Sequence, residues 1–346
     1  MSQKKSAKKW LTIIGVIILL VGGFIGFKVY QTFLGPSVTD EQAYLYVYTD
    51  DTYERVLQRI KDQKIVKHPD LFAYAAEKMD YKDKVKPGRY KLTPGMNNRR
   101  FIGNLRGGYQ DAVKLRFANI RLKEDFAGLL GKNFEADSAA FSAILNNEAV
   151  AEKYGFTKDN FYTMFIPNTY DIYWNTSPDK VIERLHDEYL KFWNDDRLQK
   201  AKALHLTPTE VSILASIVRG EALHNDEMPA IAGLYLNRLK KGMLLQADPT
   251  VIFSNNDFTI RRVLNRHLTI DNPYNTYRYK GLPPGPINMP PIVAIDAVLN
   301  PEHHEYIYMC AKEDFSGYHN FAKTVAEHQV NARKFQQALD ERNIKK

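Results

Sequence analysis

The chain has 346 residues, a formal net charge of +8 and a single cysteine, Cys310. One cysteine excludes an intramolecular disulfide, and the length allows two or more hydrophobic cores. Lysines at positions 4, 5, 8 and 9 contribute +4 of that charge, which leaves +4 on the remaining chain. Such a mild positive charge suits a polyanionic wall or a membrane surface. Because no nucleic-acid-binding module is recognisable, nucleic acid is not expected as a partner.

An apolar run near the N-terminus predicts a membrane-spanning helix. Residues 10–27 carry no charge, and a run of about 18 residues lies near the lower limit for a transmembrane helix. A cleaved signal peptide is the competing interpretation. The long apolar core and the lack of a small-x-small cleavage site after it favour an uncleaved anchor. Because four lysines precede the run and only Lys28 closely follows it, residues 1–9 are predicted to be cytoplasmic and the chain after residue 27 to lie outside.

A linker at 28–41 is predicted to lead into a small module at 42–111. Its expected elements are a strand at 43–48, helices beginning near Thr52 and Asp70, and a strand between the Pro-Gly pairs at 87–88 and 94–95. This order of strand, helix, helix and strand is typical of a compact α+β unit. The basic pairs Arg99-Arg100 and Arg261-Arg262 are interpreted as solvated surface, with contact to wall carboxylates as the alternative.

Two further regions are predicted at 112–200 and 201–346. The first is expected to hold a strand-like segment at 112–122, helices at 138–145 and 179–193, and an aromatic turn at 165–170. The second is expected to hold helices at 207–221, 229–241 and 291–299, a strand at 306–310 carrying Cys310 as a structural thiol, and a final helix at 324–342. The predicted fold class is therefore α+β, with an N-terminal transmembrane helix.

The helix that ends at Glu221 carries the most informative residue of the chain. Thr207 and Glu210 match a capping box, and Pro208 occupies the first helical position. At about 100° per residue, Glu221 lies about 20° from Leu214 and therefore points with the apolar side of the helix.

This position of Glu221 predicts a general acid. Ser212 and Ser216 are expected on the opposite side of the helix, away from the core. Desolvation raises the pKa of a carboxyl group among apolar side chains, and an acid that stays protonated near neutral pH suits general acid catalysis. The alternative is a glutamate that turns to water or pairs with Arg219 or His224.

Several motifs in a fixed order match one enzyme family. They lie at 214–221, 237–252, 274–277, 281–287, 319–321 and 327–329, with two more upstream at 87–90 and 167–170. On these motifs the chain resembles the YceG-like (MltG) endolytic murein transglycosylase family, over nearly everything after the apolar run. The resemblance implies a LysM-like module at 42–111, a catalytic region at 201–346 and an intermediate α+β region between them.

The resemblance also implies a reaction. Such enzymes cleave the MurNAc-β-1,4-GlcNAc bond within peptidoglycan strands and leave 1,6-anhydro-MurNAc ends, and the matching catalytic residue is Glu221, acting as acid and then base. Because the sugar's own C6 hydroxyl attacks, a second carboxylate is needed less than in other glycosidases. The chain departs from the family pattern at Arg219, where many members are acidic, and at Gly220, where many are bulkier.

Further expectations follow from the same resemblance. The location is the bacterial cytoplasmic membrane, with a single span and the catalytic region on its outer side. Peptidoglycan glycan strands are the expected substrate, peptidoglycan synthases or the division and elongation machinery are candidate partners, and termination of nascent glycan elongation is a candidate role. No cofactor is expected, and the histidines are not spaced as metal ligands.

Six more residues of the matching motifs are predicted to contact the substrate: Gln246, Asn275, Tyr274, Tyr277, Arg238 and His319. The two amides can hydrogen-bond an N-acetyl group, with turn hydrogen bonding as the alternative. The two tyrosines are candidates for stacking on sugars, and the alternative is that they only pack within the protein. Arg238 is a candidate for pairing with a peptide-stem carboxylate, and the alternative is an ion pair on the surface. The histidine is expected to line the cleft.

Two other functions stay open from the sequence. A peptidoglycan-binding protein with a degenerate catalytic centre is favoured by Arg219. A muramidase-type hydrolase would need a second carboxylate near the cleft, for which Asp226, Glu227 and Asp248 are candidates. Because Asp248 precedes a proline, a turn-forming role is preferred for it.

Overall fold

The structure is a computed structural model that describes residues 2–118 and 120–342, with side chains described from residue 9 onward. It divides into two compact units. The first comprises Met1–Lys114, Asn133–Glu135 and Asp171–Thr176, and the second comprises Leu115–Lys132, Ala136–Tyr170 and Ser177–Lys346.

The first unit contains an apolar helix and a small α+β core. Its elements are α1 (Ser2–Val29), β1 (Tyr44–Val47), α2 (Tyr53–Asp62), α3 (Pro69–Lys78), β2 (Gly88–Lys91) and α4 (Asn98–Gly107). Strands β1 and β2 pair antiparallel with Leu45 opposite Tyr90, and both side chains are buried in a core that includes Phe72 and Phe101. The predicted strand, helix, helix and strand are confirmed. The sequence did not predict α4, because its apolar positions stand among arginine, asparagine and glycine.

Helix α1 fits a single-pass membrane anchor by length and composition. Within the apolar stretch Lys9–Leu34, an 18-residue window has a mean hydropathy of 2.5, and none of that window is buried within the protein. A π-helical turn (Tyr30–Leu34) continues α1 without a break. Thr32 in that turn is buried, and Val38 a few residues later is only 1% exposed. Part of the segment predicted as a linker thus packs against the α+β core.

The remaining elements form a larger, mainly helical arrangement. Strands β3 (Val113–Arg116) and β4 (Thr169–Ile172) form a second sheet. The helices are α5 (Lys123–Asn133), α6 (Ser138–Leu145), α7 (Glu148–Lys153), α8 (Pro178–Phe192), α9 (Asp195–Ala203), α10 (Pro208–Glu221), α11 (Met228–Lys240), α12 (Asp248–Asn255), α13 (Asn265–Leu268), α14 (Ile292–Leu299) and α15 (Val325–Glu341). Strands β5 (Tyr308–Ala311) and β6 (His319–Ala322) pair antiparallel, with Cys310 opposite Asn320.

Helix α10 lies at the centre of the second unit, in contact with α11, α12 and α14. The predicted capping box of Thr207 and Glu210 is present. The expectation that Ser212 and Ser216 face away from the core is wrong, since both are buried. They are accommodated because their hydroxyls donate to main-chain carbonyls one helical turn earlier, and the Ser216 hydroxyl also accepts the N–H of Ile287. The helix is therefore enclosed on more than one side.

Candidate active site

A cavity of about 300 Å³ opens at the C-terminal end of α10. Its lining combines acidic, basic and aromatic side chains from α10, α11, the start of α12, the β5–β6 sheet and the loops that carry Gln246 and Tyr277. The lining residues are Glu221, Leu234, Tyr235, Arg238, Gln246, Asp248, Tyr277, Met309, Cys310, Ala311 and His319. Five of the seven predicted site residues belong to this lining. Cys310, expected to be a buried structural thiol, is half-buried on β5 and also lines the cavity.

Glu221 is held at two points on its carboxylate. The Tyr235 hydroxyl donates to Oε1 over 2.9 Å, and the main-chain N–H of Asp248 also donates to the carboxylate. Burial raises the pKa of Glu221 to about 7, and the nearby charge of Asp248 adds to the rise, while the two hydrogen bonds and Arg238 oppose it. A carboxyl group with that pKa is a proton donor and, after donation, a proton acceptor near neutral pH.

Asp248 brings a second carboxylate to the cavity. It occupies the first turn of α12, where the helix dipole favours a negative charge. The Tyr277 hydroxyl donates to its Oδ1 over 2.7 Å, and burial raises the pKa of Tyr277, which keeps this phenol neutral and donating. The preference for a turn at Asp248 is wrong, because Asp-Pro here begins a helix. Tyr235 is a site residue that sequence reasoning missed, whereas Asp248 was named from the sequence only as a candidate second carboxylate.

The Arg238 side chain is buried and hydrogen-bonded to the main chain, so it supports the fold around the cavity. Its side chain is 7% exposed, and its guanidinium donates to the carbonyl oxygens of Ile307, Leu244 and Leu245 at 2.6, 3.4 and 2.7 Å. These contacts tie α11 to the segment before β5 and to the loop that leads to Gln246. The alternative of a surface ion pair does not hold, and few donors remain for a peptide-stem carboxylate.

Arg238→Ala is expected to lower the free energy of unfolding by about 3 kcal/mol, because it leaves buried carbonyl oxygens without donors. Urea unfolding of the detergent-solubilised protein measures the change. Lys240→Ala, at an exposed position on the same helix, is the matched control and should change stability by no more than about 0.5 kcal/mol. Equal effects of the two substitutions would contradict the supporting role.

His319 is oriented by a buried acid. Glu227, only 6% exposed, accepts the main-chain N–H of His319 over 2.6 Å and lies 2.9 Å from its ring Nδ1. Because an ionised carboxylate only accepts hydrogen bonds, Nδ1 carries the proton, and Nε2 is left as the other hydrogen-bonding atom of the ring. Glu227 is thereby engaged in holding the histidine.

Asn275 and Tyr274 lie outside the cavity lining. Asn275 is completely buried, and its side-chain amide donates to the carbonyl oxygens of Leu268 and Ile270 at 2.9 Å. The predicted contact of Asn275 with an N-acetyl group is therefore wrong, and the turn-bonding alternative applies. Tyr274 packs its ring against Phe253 at 4.8 Å between centroids, which favours the packing interpretation. Gln246 lines the cavity from a left-handed backbone conformation, with φ of 50°.

The two positions that depart from the family pattern have different surroundings. The Arg219 side chain donates to the carbonyl oxygen of Ala222 over 3.3 Å and is not part of the cavity lining. Gly220 lies against Pro249: a Cβ at this glycine would come within 2.7 Å of the proline Cβ. The absence of a side chain at 220 thus permits the close approach of α10 and the first turn of α12.

Gly220→Ala is expected to destabilise the protein by about 1–3 kcal/mol through overpacking. Because Pro249 follows Asp248, the same clash should displace the N–H that holds Glu221 and reduce activity about tenfold or more. Unfolding measurements and glycan-cleavage assays on the same preparation measure the two effects. Gly103→Ala, in α4 with nothing within 4 Å of the added carbon, should leave both unchanged or raise stability slightly; similar losses in both variants would contradict the packing explanation.

No three His, Cys, Asp or Glu side chains come together as metal ligands within residues 2–118 and 120–342. The cavity lining supplies carboxylates, phenols and an imidazole, which are groups capable of proton transfer and hydrogen bonding.

Comparison with known proteins gives related sequences and a related fold. The endolytic murein transglycosylase of Bacillus subtilis is 33% identical over 163 residues, which is 47% of this chain and 43% of that protein. The endolytic murein transglycosylase of Streptococcus pneumoniae serotype 2 is 25% identical over 329 residues, 85% of this chain and 59% of that protein. The chain thus spans less than two thirds of the length of either relative.

A solved structure of a YceG-like protein from Listeria monocytogenes has the same fold. It aligns with a TM-score of 0.55 over 84% of this chain and 99% of its own, at 22% identity. The sequence profile of the YceG-like family matches residues 45–334. The chain therefore belongs to the YceG-like family.

Proposed function

We propose that this protein is a membrane-anchored endolytic murein transglycosylase. It cleaves the MurNAc-β-1,4-GlcNAc bond within peptidoglycan strands and leaves 1,6-anhydro-MurNAc ends. The observation that carries the proposal is Glu221, a carboxyl group with its pKa raised to about 7, which lies in a cavity and is hydrogen-bonded by Tyr235. The names of the Bacillus and Streptococcus relatives give the same activity.

In the proposed reaction Glu221 serves first as acid and then as base. Its carboxyl proton passes to the glycosidic oxygen as the C1–O4 bond breaks, and the C6 hydroxyl of the same MurNAc attacks C1 to form the 1,6-anhydro ring. The resulting Glu221 carboxylate accepts the C6 hydroxyl proton, so the enzyme returns to its starting state without water. Tyr235 and the Asp248 N–H donate to the carboxylate form and hold it for the second step.

Other cavity residues are proposed to position the sugar. Gln246 supplies an amide for the N-acetyl group, and the His319 ring, fixed by Glu227, supplies Nε2 for a hydroxyl. Tyr277 contributes the face of its ring, since its hydroxyl already donates to Asp248.

The organisation proposed for the chain follows from this function. Residues 10–27 cross the bacterial cytoplasmic membrane with residues 1–9 in the cytoplasm. A LysM-like module at 42–111, an intermediate region at 112–200 and a catalytic region at 201–346 lie on the outer side. Peptidoglycan synthases or the division and elongation machinery are the proposed partners, and termination of nascent glycan elongation is the proposed role.

A muramidase-type hydrolase is the second candidate, and Asp248 favours it. This carboxylate shares the cavity with Glu221, and a second carboxylate is what an ordinary glycosidase requires. A degenerate binding protein is less favoured, since Arg219 lies outside the cavity lining and Glu221 has the environment of a working acid.

Mass spectrometry of glycan products tests the proposal. Detergent-solubilised protein is incubated with uncrosslinked peptidoglycan strands, and the fragment ends are identified by mass. Internal fragments with 1,6-anhydro ends are the expected result. Reducing ends would replace the transglycosylase with the hydrolase, and binding without cleavage would leave a wall-binding protein.

A further inference from the structure

The junction between α1 and the first α+β core is rigidly packed. In the π-helical turn that continues α1, the carbonyl oxygen of Thr32 accepts a hydrogen bond from the Asn98 side chain over 2.8 Å. Thr32 and Asn98 are 6% and 1% exposed. Just beyond, the N–H groups of Ser37 and Val38 both donate to the carbonyl oxygen of Met96 at 3.1 and 2.9 Å. The start of α4 is therefore fixed to the end of the apolar helix.

This attachment sets the distance of α4 from a membrane. The uncharged run ends at residue 27, and Thr32 lies five residues further, or about 7 Å along a helix axis. The polar headgroup layer on each side of a bilayer is about 5–7 Å thick. Tyr30, 52% exposed, lies between these points, at the level where tyrosines are enriched in membrane proteins. Thr32 and Asn98 are thus expected near the outer edge of the headgroup layer.

Two arginines follow Asn98 directly. Arg99 and Arg100 are both exposed, and within the described chain neither guanidinium takes part in an ion pair. Lys28, also exposed, adds a third positive charge at the end of the uncharged run. Guanidinium groups bind phosphate oxygens in a bidentate manner, and their long side chains reach several ångströms from the main chain.

We propose that Arg99 and Arg100 form a membrane-facing surface that binds the phosphate groups of anionic phospholipids in the leaflet next to the first α+β core. The inference rests on the membrane anchor of the proposed function. Its consequence is that this core stays against the headgroups instead of moving freely on a tether. It also replaces solvated surface as the interpretation of this basic pair.

Arginine footprinting in lipid nanodiscs tests the proposal with the unmodified full-length chain. The protein is placed in discs of phosphatidylcholine alone or of phosphatidylcholine with phosphatidylglycerol, treated with phenylglyoxal, and digested for mass spectrometry. In the anionic discs, Arg99 and Arg100 should each be modified about fivefold more slowly than in discs of phosphatidylcholine alone. This factor corresponds to about 1 kcal/mol per basic residue at an anionic membrane surface. High salt should remove the difference, because the Debye length falls to about 3 Å at 1 M. Arg55, exposed on α2 of the same unit, is the internal control and should react equally in both discs.

Each other outcome overturns a definite part of the account. Equal modification of Arg99 and Arg100 in the two discs, or equal protection of Arg55, would overturn the lipid-binding surface and leave the anchor standing. Equal protection of Arg99 and Arg100 in both kinds of disc at all salt concentrations would mean that the membrane only blocks the reagent. That result would overturn phosphate binding. A chain that elutes free of the discs would overturn the anchor itself, and with it this inference.

Discussion

Replacement of Glu221 by glutamine is expected to lower the rate of glycan cleavage by about 10²–10⁴-fold, the usual contribution of a positioned acid–base residue. Glutamine retains an oxygen that can accept from Tyr235 and from the Asp248 N–H, so the cavity should keep its shape, but it has no acidic proton to give. The rate of appearance of new glycan ends measures the loss. Glu302→Gln, at an exposed position outside the cavity lining, is the matched control and should cleave at the wild-type rate.

Glu221→Gln should lower activity but raise the stability of the protein at alkaline pH. The pKa of Glu221 is raised from 4.5 to about 7, so in the folded state its proton is held more tightly than in the unfolded state. Stability from this group is fully present below pH 4.5 and is lost as the pH rises through about 7. Glu221→Gln avoids that loss and should be more stable than wild type above pH 7 by about 3 kcal/mol. Unfolding at pH 4 and pH 8 measures it; a stability difference that does not change with pH would contradict the raised pKa.

Two substitutions beside Glu221 are expected to move the alkaline limb of the profile of kcat/KM against pH in opposite directions. The Tyr235 hydroxyl stabilises the carboxylate form and lowers the pKa of Glu221, whereas the charge of Asp248 raises it. Tyr235→Phe should therefore shift the limb to higher pH, and Asp248→Asn should shift it to lower pH. Each pH unit of displacement changes the rate at a fixed alkaline pH about tenfold.

The measurement for this pair is kcat/KM against pH, which reports the pKa values of the free enzyme. Tyr318→Phe is the control, because this tyrosine bonds Asp226 instead and is not part of the cavity lining. Shifts of both variants in the same direction would mean that neither contact sets the protonation of Glu221. A loss of rate in Asp248→Asn at every pH, together with reducing ends in wild-type products, would favour the hydrolase.

Local patterns in the sequence predicted the helix that carries the acid. The capping box at Thr207, the proline after it and the apolar spacing up to Glu221 are all short-range signals, and each is present in α10. The burial of Ser212 and Ser216 was missed for a physical reason. Helical periodicity identifies one apolar face, whereas α10 is packed by α11, α12 and α14, and serine enters a core when its hydroxyl bonds the helix itself.

The contacts around the acid depend on long-range packing, which spacing does not encode. Tyr235 meets Glu221 from the next helix, and Tyr277 meets Asp248 across 29 residues. Asp-Pro is a signal for both a turn and a helix start, and only the packing of α12 against α10 distinguishes them at Asp248. For Asn275, the motif was recognised from the sequence, but the side-chain amide hydrogen-bonds carbonyl oxygens of its own loop and does not line the cavity.

A direct test of Glu221 as a neutral acid is its own titration, followed by NMR of protein labelled with ¹³C at the glutamate side-chain carboxyls. Subtraction of the Glu221→Gln spectrum isolates the signal of this residue. The structure predicts a midpoint near pH 7 for Glu221. A Glu221 signal that titrates near 4.5 would contradict the proposal that Glu221 is the proton donor in glycan cleavage.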